Sequence, residues 1–383
     1  MKILKFGGSS LASAERIRGV VSIVNQGLAD SPSAVVVSAL GGVTDDLIAT
    51  SAAAAHGDDY ETLMEAIRKR HHAAATELLT GDETGKISTV VDGVMDELGQ
   101  VLHGISLVGE CTARTRDSVL SCGERLSAQL VAAALRESGI PTEACDARSL
   151  IVTDGEFGNA RVDFSATRER VRDHFEGETA TQIVTGFIAA DSSGDTTTLG
   201  RGGSDYTAAI LGAALAVDRI EIWTDVDGVM SADPRLVPGA FSLPSLSYNE
   251  LMELSHFGAK VVYPPTLHPA RTHSIPIFIR NTFNPGFEGT KVIEQIRGNG
   301  HQVRGISSVN EVALLRLEGD GMVGVPGIAE RLFGVLARRD ISVILISQAS
   351  SEHSICFAVD PGAVNEAQRR VDREFELERG AGL

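Results

Sequence analysis

The chain has 383 residues, enough for two or three domains that each bury a core of their own. Hydrophobic residues make up 43% and charged residues 22%, an ordinary globular composition that excludes global disorder. The formal net charge of −17 argues against a nucleic-acid partner or an anionic membrane, because both select basic surfaces. Small anionic ligands would therefore have to meet local positive groups.

The sequence gives no reason to expect secretion or membrane insertion. No apolar run approaches the roughly 20 residues of a membrane span, and the start MKILKFGG lacks the apolar region of a signal peptide. The four cysteines have no CxxC spacing, so we expect buried thiols rather than disulfides or a metal site. We therefore expect a cytoplasmic protein.

The N-terminus predicts a strand, a glycine turn and a helix. Lys2 to Phe6 is the strand, Gly7, Gly8 and Ser9 form the turn, and a helix follows. The glycines let backbone amides approach a phosphate, and Lys5 adds a point charge. The alternative is a solvated lysine at a sheet edge.

A second unit of the same kind follows. The strand Ala34 to Val37 leads through a glycine turn to a helix near Asp45, which predicts a parallel sheet with both turns on one side. Ser38 and Thr44 place hydroxyls in this turn, although such residues also serve only to make turns.

A long helical region comes next. We expect two flanking helices between Tyr60 and Val108 and a third from Arg116 to Leu135. In the third, Gly123 precedes Glu124, and a glycine inside a helix suggests close approach by a ligand. The alternative is a surface glutamate that pairs with Arg125 or with solvent.

The stretch from Thr196 to Arg235 carries the densest chemistry. It follows a strand at Gln182 to Thr185 and a polar hairpin, and it places Arg201 between glycines ahead of a helix that opens with Ser204 and Asp205. Such a turn suits an anion, and Arg201 adds a fork of donors for a carboxylate or phosphate. A plain strand-to-helix turn is the alternative.

A buried strand at Arg219 to Trp223 then ends in Thr224 and Asp225. Open α/β sheets bind their ligands at this end of the strands. Downstream we predict a helix from Ser247 to Lys260 and a strand from Ile275 to Ile279.

A composition shift at Ile296 to His301 predicts a domain boundary. Beyond it the pattern is βαββα, a ferredoxin-like unit without its last strand. Its elements are predicted at Val312 to Leu317, Val325 to Arg338, Ser342 to Ser347, Ser354 to Val359 and Val364 to Glu376.

Taken together, these segments resemble the aspartate kinases of the amino-acid kinase superfamily, which carry a C-terminal ACT region. The matching motifs are KFGGSS, SALGGVT, SCGE, TGFIA, TTTLGRGGSDYTAA, EIWTDVDGV, ADPR and FGAK, in that order. Each is weak alone, but the ordered set covers nearly the whole chain. Within the family, the chain most resembles the kinase part of threonine-sensitive bifunctional aspartate kinase–homoserine dehydrogenases. This resemblance rests on the segments VLHGISLVGEC and SQASSEHSI.

The resemblance implies an α/β fold with three layers around a mainly parallel sheet over residues 1–295. An α+β ferredoxin-like ACT domain lacking its last strand would follow over residues 305–383. It also implies transfer of the γ-phosphoryl group of ATP to L-aspartate, giving 4-phospho-L-aspartate.

Site roles follow from the same resemblance. Lys5 and Asp205 would be catalytic, with the lysine neutralising charge on the transferred group. The aspartate pocket would comprise Ser38, Thr44, Glu124, Phe187, Arg201 and Ser204. The nucleotide would be held by Lys5, Gly7, Gly8, Ser9, Thr224, Asp225, Met230, Arg235 and Lys260. Mg²⁺ would sit mainly on phosphates, without a protein metal cage.

Two positions depart from the family pattern. Met230 stands where a tyrosine is usual, and Tyr263-Pro264-Pro265 replaces a His-Pro-Arg-like sequence. We expect both to affect the nucleotide side.

The tail predicts association and regulation. ACT units pair edge to edge, so we expect a homo-oligomer through this region, with a partial effector site for threonine or lysine near Gln348. The alternative is a tail that folds onto its own kinase domain. Alternatives for the whole chain are another small-carboxylate kinase, such as a glutamate 5-kinase, or a non-catalytic amino-acid-binding subunit.

Overall fold

The computed structural model describes residues 1–28, 33–256, 262–295, 303–309, 311–319, 322, 324–348 and 353–380. The chain divides into two compact units, Met1–Ser307 and Ser308–Leu383.

An eight-stranded sheet organises the first unit, in the order β3-β5-β2-β1-β8-β10-β11-β9. The strands are β1 (Lys2–Phe6), β2 (Ser33–Val37), β3 (Thr142–Cys145), β4 (Val152–Thr153), β5 (Thr181–Thr185), β6 (Ile188–Asp191), β7 (Thr196–Thr198), β8 (Arg219–Thr224), β9 (Ser245–Ser247), β10 (Ile277–Asn281) and β11 (Thr290–Ile293). Neighbours from β3 to β10 pair in parallel, whereas β11 runs antiparallel to β10. A smaller sheet has the order β4-β6-β7.

Helices cover both faces of the large sheet. They are α1 (Ala14–Leu28), α2 (Val43–His56), α3 (Tyr60–Leu78), α4 (Gly81–Val108), α5 (Ala113–Glu137), α6 (Phe164–Phe175), α7 (Gly203–Leu215), α8 (Tyr248–His256) and α9 (His268–Thr272). Alternate residues of one strand enter opposite cores: Leu4 packs with the first five helices, and Ile3 packs with α7 to α9. Because both faces are buried, the strands read as continuous apolar runs. The expected three-layer α/β fold is confirmed.

Some boundaries differ from the sequence prediction. The strand expected at Ile275 to Ile279 begins two residues later, because β10 pairs in register with β8 from Ile277. Gly258 and Lys260, expected to end α8, lie outside the described residues.

The second unit contains β12 (Ala313–Glu318), α10 (Ile328–Ala337), β13 (Leu345–Gln348), β14 (Ser354–Val359), α11 (Val364–Glu374) and α12 (Glu376–Gly380). Its antiparallel sheet has the order β12-β14-β13, and its core joins α10 and α11 to one sheet face. The expected βαββα order is confirmed, although β13 starts at Leu345 rather than at Ser342.

Candidate active site

Neighbouring parallel strands bring their carboxyl ends to one edge of the large sheet. Backbone bonds continue past these ends: Ser38 N–H donates to the Phe6 carbonyl at 3.1 Å, and Gly186 N–H donates to the Val37 carbonyl at 2.8 Å. The turns after β1, β2 and β5 are therefore held side by side, where α/β sheets bind ligands.

Lys5 and Asp205 form a shielded ion pair at this edge. Lys5 is the fourth residue of β1, and Asp205 lies in the first turn of α7, whose N-terminus stabilises a negative charge. Lys5 Nζ lies 2.6 Å from Asp205 Oδ1, and the two side chains are 11% and 10% exposed. Asp205 thus fixes an ammonium group at the meeting point of the turns.

The first two glycine turns pack backbone to backbone. A Cβ atom on Gly41 would lie 2.8 Å from the Gly8 carbonyl oxygen, so a side chain there would force the turns apart. Gly7 precedes a short 3₁₀ helix at Gly8–Leu11 that contains Ser9. The predicted phosphate-side residues therefore lie directly after β1, beside the turn after β2.

Glu124 is buried beneath the turn after β2. Its side chain lies on α5, and Oε1 accepts the Ala39 N–H at 3.0 Å, while Oε2 has no hydrogen-bond partner among the described residues. Burial raises the pKa of Glu124 to about 8, opposed by the Ala39 N–H and by the charge of Lys5. The free oxygen can accept a hydrogen bond from a ligand.

The structure contradicts one expectation and one alternative for this helix. Glu124 is not a surface partner of Arg125, because Arg125 instead binds Glu97 with two hydrogen bonds of 2.9 and 2.7 Å. Gly123 does not leave room for a ligand. A Cβ atom at this position would lie 2.8 Å from Ala39 Cβ, so the glycine allows the turn between β2 and α2 to pack closely against α5.

Ser38 and Ser204 join the turn after β2 to the start of α7. Ser38 Oγ donates to Ser204 Oγ at 2.9 Å, and Ser127 Oγ on α5 donates to the Ser38 carbonyl at 2.7 Å. Thr44 lies half-buried in the first turn of α2. The Ser38 and Ser204 hydroxyls therefore lie at the edge that also holds Asp205.

Phe187 adopts a left-handed backbone conformation with φ of 68°, uncommon outside glycine. Its N–H donates to Thr207 Oγ1 at 3.1 Å, and a Cβ atom on Gly203 would meet its ring at 2.7 Å. α7 therefore holds Phe187 in place, and Gly203 leaves room for its ring.

Arg201 lies on an exposed turn between Gly200 and Gly202, each with φ of 71°. Its guanidinium carbon lies 5.6 Å from the centre of the Tyr263 ring. A Cβ atom on Gly202 would lie 2.8 Å from Tyr263 Cβ. Tyr263 therefore contacts the Arg201 turn, and its expected effect on the nucleotide side stays a prediction.

The candidate nucleotide residues after β8 are more open. Thr224 is half-buried, Asp225 is exposed, and Thr224 Oγ1 donates to Asp225 Oδ1 at 3.2 Å. Arg235 is exposed and is paired with Asp233 at 2.7 Å. Met230 forms an isolated bridge with Ser242. Lys260 lies outside the described residues.

The sequence reasoning missed residues that fix these turns, among them Asp117, Thr198, Ser127 and Thr282. Asp117 accepts hydrogen bonds from Gly158 and Thr198, and Thr282 N–H donates to the Thr224 carbonyl at 2.8 Å. For Asp117 the spacing was a usable clue, because it precedes Glu124 by seven residues on one helix face.

Three further observations concern Gln348, clusters of metal-ligating side chains and membrane-spanning helices. Gln348 ends β13 and is exposed. Within the described ranges, no group of three or more His, Cys, Asp or Glu side chains could hold a metal ion. No helix in the described part of the chain is both long and apolar enough to cross a membrane.

Family models match both units. The model of the amino acid kinase family matches residues 1–281, and a model described as an ACT domain matches residues 315–375. The chain therefore belongs to the amino acid kinase family, with a C-terminal ACT domain.

Within this family, proteins similar to the chain include aspartokinases. The bifunctional aspartokinase/homoserine dehydrogenase of Daucus carota is 38% identical over 99% of this chain, and that of Haemophilus influenzae is 35% identical over 99%. The chain spans 42% and 47% of their lengths. Aspartokinase III of E. coli, solved with lysine and aspartate, is 32% identical with a TM-score of 0.79, covering 94% of this chain and 79% of that one.

Proposed function

We propose that the chain transfers the γ-phosphoryl group of Mg·ATP to the side-chain carboxylate of L-aspartate. The Lys5–Asp205 pair carries this proposal, since it fixes a shielded ammonium where the strand ends meet. Phosphoryl transfer depends mainly on positioning and charge stabilisation, so a fixed cation is the group it needs. The similarity to aspartokinases supports the choice of acceptor.

The opposite charges of Arg201 and Glu124 suit the two ends of an amino acid. Arg201 would bind the α-carboxylate through its planar fork, and Glu124 would bind the α-ammonium through Oε2. Ser38, Thr44, Phe187 and Ser204 would complete the pocket. The side-chain carboxylate of aspartate would then point towards Lys5 and the γ-phosphate.

The nucleotide would lie along the turns after β1 and β8. Gly7, Gly8 and Ser9 would face its phosphates, and Thr224, Asp225, Met230, Arg235 and Lys260 would hold the rest. Mg²⁺ enters as part of the Mg·ATP substrate, bound mainly by phosphate oxygens. A structure of E. coli aspartokinase III with aspartate and ADP, 32% identical to this chain, supports this pairing of ligands.

An ADP-release assay tests the activity. With Mg·ATP, we expect turnover with L-aspartate and little with L-glutamate or N-acetylglutamate. Preference for glutamate would favour the glutamate 5-kinase alternative. No ADP release with any of the three acids would favour a non-catalytic amino-acid-binding subunit.

The kinase domain would comprise residues 1–295 and the regulatory domain residues 305–383. In the described part of the second unit, β12 pairs only with β14, so its other edge is open. We infer that this edge pairs with a second copy of the chain and that Gln348 lies near a partial amino-acid effector site. Light scattering with and without threonine or lysine checks this: a strictly monomeric species would contradict association, and strong inhibition by either amino acid would contradict a partial site.

A further inference from the structure

Asp117 on α5 is a buried carboxylate with no role in the chemistry proposed above. Asp117 as a whole is 1% exposed. Oδ2 accepts N–H bonds from Gly158 at 2.8 Å and Thr198 at 2.9 Å, and Oδ1 accepts the Thr198 hydroxyl at 2.8 Å. Burial raises the pKa of Asp117, and these hydrogen bonds oppose the rise. No described arginine or lysine forms an ion pair with Asp117. The cost of burying its carboxylate is therefore offset by hydrogen bonds from the two segments that contain Gly158 and Thr198.

Both segments lead to Arg201. Thr198 ends β7, three residues before Arg201. The loop containing Gly158 packs on the Arg201 turn, where a Cβ atom on Gly200 would lie 2.5 Å from Asn159 Oδ1. Ala160 N–H also donates to the Thr198 carbonyl at 2.9 Å. Asp117 therefore fastens the turn that carries Arg201 and the loop that supports it.

The Arg201 side chain has little else to orient it. Among the described residues its guanidinium has no hydrogen-bond or ion-pair partner, and its ring contact is with the partly exposed Tyr263. The base of the Arg201 side chain is therefore positioned by the backbone on either side. On the upstream side that backbone is held by Asp117.

The same helix also carries Glu124. Seven residues separate Asp117 from Glu124, which corresponds to about 10.5 Å along the axis and nearly the same helix face. α5 thus carries Glu124, the proposed ligand of the substrate ammonium. Through the hydrogen bonds of Asp117, the same helix also holds the turn that carries Arg201, the proposed ligand of the substrate carboxylate. Any shift of the segments bound to Asp117 changes the distance between Arg201 and Glu124.

We propose that Asp117 is a positioning residue that sets the spacing between Arg201 and Glu124, and thereby selects a substrate with its carboxylate and ammonium on one carbon. The proposal rests on the function proposed above. The rival explanation is that Asp117 only satisfies buried N–H groups and stabilises the fold. The two explanations differ in which kinetic constants change and in whether the effect depends on Arg201.

The test uses steady-state kinetics with Mg·ATP and L-aspartate on the full chain. Asp117→Ala leaves two N–H groups unpaired, so we expect a rise of about tenfold in the aspartate KM and less than twofold in the ATP KM. Asp117→Asn should restore most of the affinity, because one amide oxygen can accept both N–H bonds. If Asp117→Ala does not fold, Asp117→Glu supplies the test, since an extra methylene keeps the acceptors but displaces the loop.

Thr153→Val is the matched control. It removes the buried 2.8 Å hydrogen bond between Thr153 and Thr197 in the same small sheet, and it leaves the bonds of Asp117 intact. A structural role alone would make both variants lose thermal stability without a selective change in the aspartate KM. We expect only the Asp117 variants to change that constant.

A double-mutant cycle decides whether Asp117 acts through Arg201. If it does, Asp117→Ala adds nothing to the aspartate KM of Arg201→Ala. Additive effects, an equal rise in the ATP KM or an unchanged aspartate KM would overturn the inference. The wild-type and Arg201→Ala measurements test the proposed function separately. Lack of turnover by the wild type would contradict that function. Normal turnover by the wild type, together with an unchanged aspartate KM in the Asp117 variants, would contradict only the inference about Asp117.

Discussion

The two halves of the candidate site are built differently. On the amino-acid side, Glu124 and Ser204 are buried, and each accepts a hydrogen bond from the turn after β2. On the nucleotide side, Asp225 and Arg235 are exposed, and Arg235 already has an ion-pair partner. From this difference we expect selectivity for the acceptor to rest on groups that the fold holds in place, and the nucleotide groups to rearrange on binding.

The largest effect should come from the group that both halves share. Lys5→Ala removes the charge next to the transferred phosphoryl group, so we expect a loss of about 10³-fold in kcat with small changes in both KM values. Steady-state kinetics with each substrate varied checks this. A loss confined to the ATP KM would show that Lys5 only binds the nucleotide.

Arg201→Ala should separate the two halves most clearly. The loss of a bidentate carboxylate partner predicts a rise of about 100-fold in the aspartate KM, with the ATP KM within twofold of wild type. Arg201→Lys keeps the charge without the planar fork, so it should recover only part of the affinity. An unchanged aspartate KM would place Arg201 outside the pocket.

Glu124→Gln should weaken aspartate binding by about tenfold and leave ATP binding intact, since only the amino-acid half loses its ionic partner. Isothermal titration with each ligand separately measures this. Comparable losses for both ligands would show that the residue supports the helix instead.

The pH dependence sharpens the same prediction. The pKa of Glu124 in the empty pocket is about 8, so below that pH the carboxyl is mainly protonated and binds an ammonium poorly. Log kcat/KM for aspartate should therefore rise with pH and level off near 8 in the wild type, and Glu124→Gln should lack this step. A step that persists in Glu124→Gln would assign the titration to another group.

Arg235→Ala should have the smallest effect. Arg235 is exposed and paired with Asp233, so its contact with the nucleotide must replace an existing interaction. We expect the ATP KM to rise about two- to threefold and the aspartate KM to stay constant. A tenfold rise would mean that the nucleotide half is as pre-organised as the amino-acid half.

The sequence predicted which residues meet at this edge of the sheet because local patterns encode their positions. Apolar strands ending in glycine turns place Lys5, Ser38 and Phe187 at the ends of neighbouring strands, and the helix after Arg201 places Asp205. The parallel order of those strands then follows from the helices between them.

Elements with weak patterns were missed. α6 buries only Thr167 and Val171, so its apolar face is too narrow to show helical periodicity. β11 was not predicted either, and it is fixed by pairing with β10 rather than by its own composition.

Long-range contacts explain the remaining differences. Asp117 binds Gly158 and Thr198, which are 41 and 81 residues away, and Tyr263 meets Arg201 across a comparable separation. Such contacts depend on the assembled sheet, so local sequence patterns do not specify them.

Trapping the product with hydroxylamine tests the central claim most directly, because an acyl phosphate reacts with hydroxylamine to give a stable hydroxamate. With Mg·ATP and L-aspartate, we predict the hydroxamate of the side-chain carboxyl, formed in step with ADP. Formation of the α-hydroxamate, or ADP release without any hydroxamate, would contradict the proposed orientation of aspartate between Arg201, Glu124 and Lys5.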